Sequence, residues 1–112
     1  MGKIIVVTKY VLISANSEDE IEIFKNGTGK KLRIYKIIYT GGTEDESKLN
    51  VYLKIGEMRV YPYAGSLYNI GGTKTIDADV ELDPNSTLKL YYKNTTTTDY
   101  ETSICIVAEV VE

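Results

Sequence analysis

The sequence predicts an all-β domain, an antiparallel sandwich or barrel of about eight strands. Three observations carry that prediction. Strand formers dominate: ten Tyr and twelve Thr accompany abundant Ile and Val, whereas there is one Phe and no Trp. Branched and aromatic side chains suit a pleated surface. No window of a dozen residues places apolar side chains at helical spacing with caps. Instead, short apolar or alternating runs recur between turn signals, about 8 to 14 residues apart. At 112 residues, a single domain spanning 1–112 is the expectation.

The runs follow in order. Lys3 to Ser14 is mostly Ile, Val, Tyr and Leu, and "ANSED" breaks it. Glu20 to Lys25 sets Ile21 and Ile23 against Glu20 and Glu22. Asn26-Gly27 is a strong hairpin signal, because both residues tolerate positive φ. Leu32 to Thr40 is the third run, closed by the polar loop "GGTEDES". Leu49 to Ile55 and Glu57 to Tyr63 suggest a hairpin about Gly56. "AGSLYNIGG" leads to Thr73 to Leu82. In Asp83-Pro84-Asn85-Ser86 the proline presets φ and the flanking Asp and Asn favour a turn. Thr87 to Lys93 and Tyr100 to Val111 flank the loop "NTTTTD".

Residue inventory excludes most chemistry. The chain has no His, so no His-based triad or His general base exists, and one Cys without His cannot build the usual zinc sets. Paired carboxylates remain for glycoside chemistry, but so small a domain leaves little room for a deep cleft beside its core. No cofactor is implied, and the chain reads as a non-enzyme. "NGTGKK" fails as a phosphate loop: Phe24 stands where the first Gly belongs, Lys31 stands where Ser or Thr belongs, and no helix follows. Cys105, the only cysteine, lies in the apolar run "SICIVAEVV" and reads as a buried small hydrophobe.

Net charge is −3 and the pI about 5.0, without the basic stripe that nucleic acid requires. No apolar run has the length of a membrane span or the shape of a signal peptide. Synthesis in a cytoplasm without a signal peptide is the expectation. The lack of Gln beside abundant Lys, Glu and Ile suggests a thermophilic source. Three Asn-x-Ser/Thr sequons, at Asn26, Asn85 and Asn94, fall in predicted turns, where glycans have room. Ordinary turn composition accounts for them.

Two groups stand out as candidate sites. Asp77, Asp79, Glu81 and Asp83 recur at every second position, with Ala78, Val80 and Leu82 between them. On a strand they share one face at about 6 to 7 Å intervals. Calcium needs about 6 to 8 converging oxygens, so a solvated or lysine-paired face is the stronger reading and a calcium site the weaker. The second group is tyrosine: Tyr61, Tyr63 and Tyr68 surround one loop, and Tyr91, Tyr92 and Tyr100 flank another. Tyrosine buries area at low entropy cost and keeps a polar tip, which suits protein interfaces and sugar surfaces as well as cores. Tyr91 and Tyr92 must point to opposite faces.

The second half of the chain, "TIDADVELDPNSTLKLYYKNTTTTDYETSICIVAEVV", resembles the closing strands of small jelly-roll sandwiches in viral and phage particles. A strand ends in a Leu-x-Pro turn, here Leu82-Asp83-Pro84-Asn85. A Leu-rich strand follows, here Leu88, Leu90 and Tyr92, then an Asn/Thr-rich loop and a last strand of branched residues. "GTGKKLRIYKIIYTGG" is similar to early strand-turn pairs of such domains. The chain departs from the commoner Leu-x-Pro-Gly-Asp turn, with Asn85-Ser86 in place of Gly-Asp. The resemblance implies a jelly-roll-like β-sandwich serving as a virion component: capsid, decoration, turret, spike-base or tail-associated. It implies homo-oligomers that meet other particle proteins. Lys3 to Ser14 reads first as an ordinary strand of its own sheet, and it also fits that role as a strand that pairs with a neighbour's exposed sheet edge. Two other functions suit the same features. One is a carbohydrate-binding module with a Tyr platform, and the other is a filament subunit built by strand donation.

Overall fold

The computed structural model describes residues 3–41, 48–62, 67 and 73–111. Eight strands run through them: β1 (Ile4–Ile13), β2 (Ser17–Lys25), β3 (Leu32–Thr40), β4 (Leu49–Ile55), β5 (Met58–Tyr61), β6 (Thr73–Leu82), β7 (Thr87–Asn94) and β8 (Tyr100–Val110). They form two four-stranded sheets of order β1-β8-β3-β6 and β2-β7-β4-β5, with every ladder antiparallel. The predicted all-β sandwich is therefore the observed architecture.

Alternation places the core between the sheets. In β7, Leu88, Leu90 and Tyr92 point inward, and in β8, Thr102, Ile104, Ile106 and Ala108 do the same. Leu32, Ile34, Ile37, Tyr39, Val51, Leu53, Ile76 and Leu82 complete most of the interior. Strand β3 changes phase midway, from Leu32 and Ile34 to Ile37 and Tyr39. An irregularity between Ile34 and Lys36, present in its ladders to both neighbours, absorbs the step. Tyr35 and Lys36 are both left half-exposed, and the inward row continues unbroken.

The turns differ from the sequence expectation. Asn26-Gly27 does not close a hairpin, because β2 and β3 lie in different sheets. Positive φ falls instead on Gly29, at 77°. Asp83-Pro84-Asn85-Ser86 likewise turns a corner between sheets. Among the described residues only β4 and β5 are joined as a hairpin, with Gly56 at φ 59°. Strand β2 also begins earlier than expected, since Ser17, Glu18 and Asp19 pair with Asn94, Lys93 and Tyr92. Cys105 is half-buried on the outer face, not in the core: Ile104 and Ile106 take the inward positions, and Cys105 sits between Thr8 and Ile38.

Tyr39 is fully enclosed, and burial pushes its phenol up to about 12, opposed by a smaller effect of the nearby Thr102 hydroxyl. The folded pKa is raised, so the contribution is intact below the ordinary tyrosine value of 10.0 and is lost as pH rises toward 12. The whole shift is worth about 2 to 3 kcal/mol. Urea denaturation followed by circular dichroism should show stability falling steeply over that window. Tyr39→Phe should flatten this limb; an unchanged slope would refute the assignment.

Candidate assembly surfaces

The outward row of β1 is the most exposed apolar feature among the described residues. Its backbone alternates so that Ile4, Val6, Thr8, Tyr10 and Leu12 face out, and Ile4, Val6, Tyr10 and Leu12 are 50%, 60%, 83% and 51% exposed. Soluble monomers rarely leave four large apolar side chains in one line uncovered. The strand is also an edge: β8 pairs with one side, and no described strand pairs with the other. Sequence reading placed this segment as an apolar strand but could not say which side chains would lie open.

The outer face of the second sheet carries a tyrosine pair. Tyr52 and Tyr91 are cross-strand neighbours, stacked with ring centroids 4.6 Å apart and planes inclined by 30°. The Arg59 guanidinium lies 4.2 Å from the Tyr52 centroid, within cation–π range. Tyr91 donates its hydroxyl to Glu18, and that bond, with a smaller contribution from burial, pushes its phenol up to about 12. Beside the rings, Lys54 is almost enclosed and pairs with Glu20, and with Glu57 at 3.5 Å. Its pKa is raised, first by the Glu20 hydrogen bond. Tyr52, Arg59 and Lys54 escaped the sequence reading, because only the β4–β7 and β4–β5 registers bring them beside Tyr91.

The other tyrosines separate. Tyr92 corrects the expectation of an interface residue: it is 4% exposed and belongs to the core. The period-two alternation that turns Tyr91 out turns Tyr92 in. Tyr100 is partly buried against the core at the start of β8. Tyr61 lines an open cleft of about 340 Å³ with Val60, Asp77, Ala78, Asp79 and Val80. Tyr63 and Tyr68, with most of their loop, lie outside the described residues.

The acidic row lies along β6 as the period predicts, with Asp77, Asp79 and Glu81 exposed on the outer face and Asp83 exposed in the turn. Basic groups on β3 and just before it answer these acids. Arg33 sits 3.6 Å from Asp79 and 3.0 Å from Glu109, and Lys31 sits 3.8 Å from Glu81 and 3.9 Å from Asp83. Among the described residues no three metal-binding side chains are grouped to hold a cation. Because Arg33 and Lys31 already answer these carboxylates, saturating calcium should leave the melting temperature unchanged, whereas a ligand that binds the native state must raise it. A rise of several degrees would restore the metal reading.

Asn26 and Asn94 are buried, although both belong to sequons. Each Asn side chain receives the backbone N–H and hydroxyl of the Thr two residues on, Thr28 or Thr96. Each amide nitrogen donates to carbonyls across the corner. Asn26 reaches Lys30, Leu82 and Asp83 at 2.8, 2.9 and 3.2 Å. Asn94 reaches Thr98 at 2.9 Å and Ile13 at 3.4 Å. The Asn-x-Thr pattern here builds a corner clamp, and a buried amide already donating its hydrogens offers no site for a glycan. Asn85 is exposed at φ 68°.

No protein-family model and no curated protein matches the sequence. Solved structures do match in fold. A chain of the Cyanophage Pam1 capsid asymmetric unit aligns with TM-score 0.58 and 9% identity over 98% of this chain and 86% of its own length. A chain of the acid-stable capsid of Helicobacter pylori bacteriophage KHP30 aligns with TM-score 0.61 and 11% identity over 98% and 94%. The chain has the jelly-roll fold of viral capsid proteins. The VP2 subviral particle of infectious bursal disease virus shares the jelly roll at TM-score 0.56 and 11% identity, but there the match spans 96% of this chain and 32% of the other. The strand orders β1-β8-β3-β6 and β2-β7-β4-β5 are those of a jelly roll with two opposed four-stranded sheets.

Proposed function

We propose that the chain is a non-enzymatic structural component of a virus particle, assembling with copies of itself and with other particle proteins. The observation that carries this is the full-length fold match to two phage-capsid chains, of which it covers 86% and 94%. The open apolar row on β1 supports assembly, and the inventory without His supports a role other than catalysis. The missing Gln and the ion-paired outer faces suit a virus of a thermophile.

Light scattering of the purified protein tests the assembly reading. The expected result is a mass that is a multiple of 12.5 kDa at micromolar concentration. A monodisperse monomer at the highest attainable concentration would sink it. A second reading, glycan binding, is favoured by one observation, the outward Tyr52–Tyr91 stack beside Arg59. It predicts a monomer whose tyrosine fluorescence responds to added oligosaccharide.

A further inference from the structure

We infer that two copies of this chain join through β1, antiparallel about a two-fold axis at Thr8, making one continuous eight-stranded sheet. The inference rests on the self-assembly reading above and says which surface does it.

The four sheet edges differ in a way that selects β1. Edge β6 presents Asp77, Asp79 and Glu81 outward, and edge β2 presents Glu18, Glu20 and Glu22, so neither can meet its own copy without opposing like charges. Edge β5 has four residues. Charged or short edges are the usual guards against unwanted pairing. Edge β1 has ten residues, one charge and no acid.

Backbone direction agrees. The Val110 amide donates to the Lys3 carbonyl at 2.9 Å, so odd-numbered residues of β1 aim their peptide groups at β8. The even-numbered residues Ile4, Val6, Thr8, Tyr10 and Leu12 therefore aim theirs at the open edge. Antiparallel pairing centred on Thr8 sets Ile4 against Leu12 of the second copy, Val6 against Tyr10, and Thr8 against Thr8. Every exposed apolar residue of the row then gains an apolar partner. The two-fold axis repeats the first two pairs, so five pairs form, and two bonds for each give about ten, the number a typical protein interface carries.

Lys9 fixes the register. Centring the pair one residue later would place Lys9 directly against Lys9, whereas the Thr8 register sets each Lys9 opposite Val7 of the other copy. Centring one residue earlier leaves Leu12 beyond the strand it should meet.

The test uses the full chain in a Cys105→Ser background, because Cys105 is the β8 partner of Thr8 and would capture an introduced thiol. Thr8→Cys should give a covalent dimer on mild oxidation, since directly paired Cα atoms about 5.5 Å apart lie within disulfide reach. Thr75→Cys, exposed on β6, should stay uncoupled. Separately, Val6→Lys with Tyr10→Lys should lower the association constant at least a hundredfold and leave the circular dichroism spectrum and the cooperative melt intact. Lys9→Thr should tighten association. An oligomer that persists in the double variant, or coupling no faster at Thr8 than at Thr75, would overturn β1 pairing and leave the self-assembly reading standing. A parent protein that is monomeric throughout would overturn both.

Discussion

Replacing Asn26 by Asp should cost about 3 to 5 kcal/mol at neutral pH, although the two side chains are nearly the same shape. The Asn26 amide nitrogen faces the carbonyls of Lys30, Leu82 and Asp83. An Asp carboxylate would set an oxygen against those three oxygens in a site without solvent access. The Thr28 hydroxyl and backbone N–H would still find an acceptor, so the loss falls on the corner carbonyls alone. A protonated carboxyl can donate one hydrogen bond, so the introduced acid should have a raised pKa. Stability is then partly recovered as pH falls and lost as pH rises through that value. Urea titrations at about pH 4 and pH 7 read both effects, with Asn26→Ala as the pH-independent control. Equal destabilisation by Asp at both values would mean that the amide does not act as a donor. Asn94→Asp should behave the same way more weakly, because one of its two donations spans 3.4 Å.

Gly41→Ala should be the second large effect, at about 3 kcal/mol or more. Gly41 has φ 106°, and a Cβ there would lie 2.6 Å from the Glu101 carbonyl oxygen and 3.1 Å from the Thr102 Cα. Those atoms are backbone of a paired central strand and cannot rotate aside. Gly29→Ala separates the two causes. Gly29 has φ 77° with open space around it, so it carries the conformational cost, about 1 to 2 kcal/mol, without a collision. Thermal melts of both variants should rank Gly41→Ala well below Gly29→Ala. Equal melting temperatures would show that the strand ends relax to admit the methyl group.

These two positions mark where sequence reading succeeds and where it stops. Period-two alternation located the eight strands, and it sorted Asp77, Asp79 and Glu81 from Ile76 and Leu82 because alternation is a local property of the backbone. It also required Tyr91 and Tyr92 to part, though not which would turn inward. Sheet membership is not local. Asn26-Gly27 and Asp83-Pro84-Asn85-Ser86 were recognisable as reversals, yet a reversal does not say whether the next strand returns to the same sheet. Both lead to the opposite one. The role of Asn26 and Asn94 was hidden for the same reason, since their main partners across the corner, Leu82 and Ile13, are remote in sequence. Tyr52 and Arg59 could be added to Tyr91 only once register was known. The apolar character of Lys3 to Ser14 was plain, but half of that strand serves the core and half serves the surface.

The strand order has a consequence for how the chain is made. In the sheet β1-β8-β3-β6, every neighbour of a strand from the first half comes from the second half. In the other sheet β2 and β4 both lean on β7, and only β4 with β5 closes locally. As the chain leaves a ribosome, at about 5 to 20 residues per second, β1 to β3 must wait for partners synthesised seconds later. Such long-range pairing folds slowly. During that interval "IIVVTKYVLI" is an unpaired apolar strand with both edges open. Crowded translation of many copies should therefore favour premature contacts between nascent chains, and Lys9 is the one charge in β1 that opposes them.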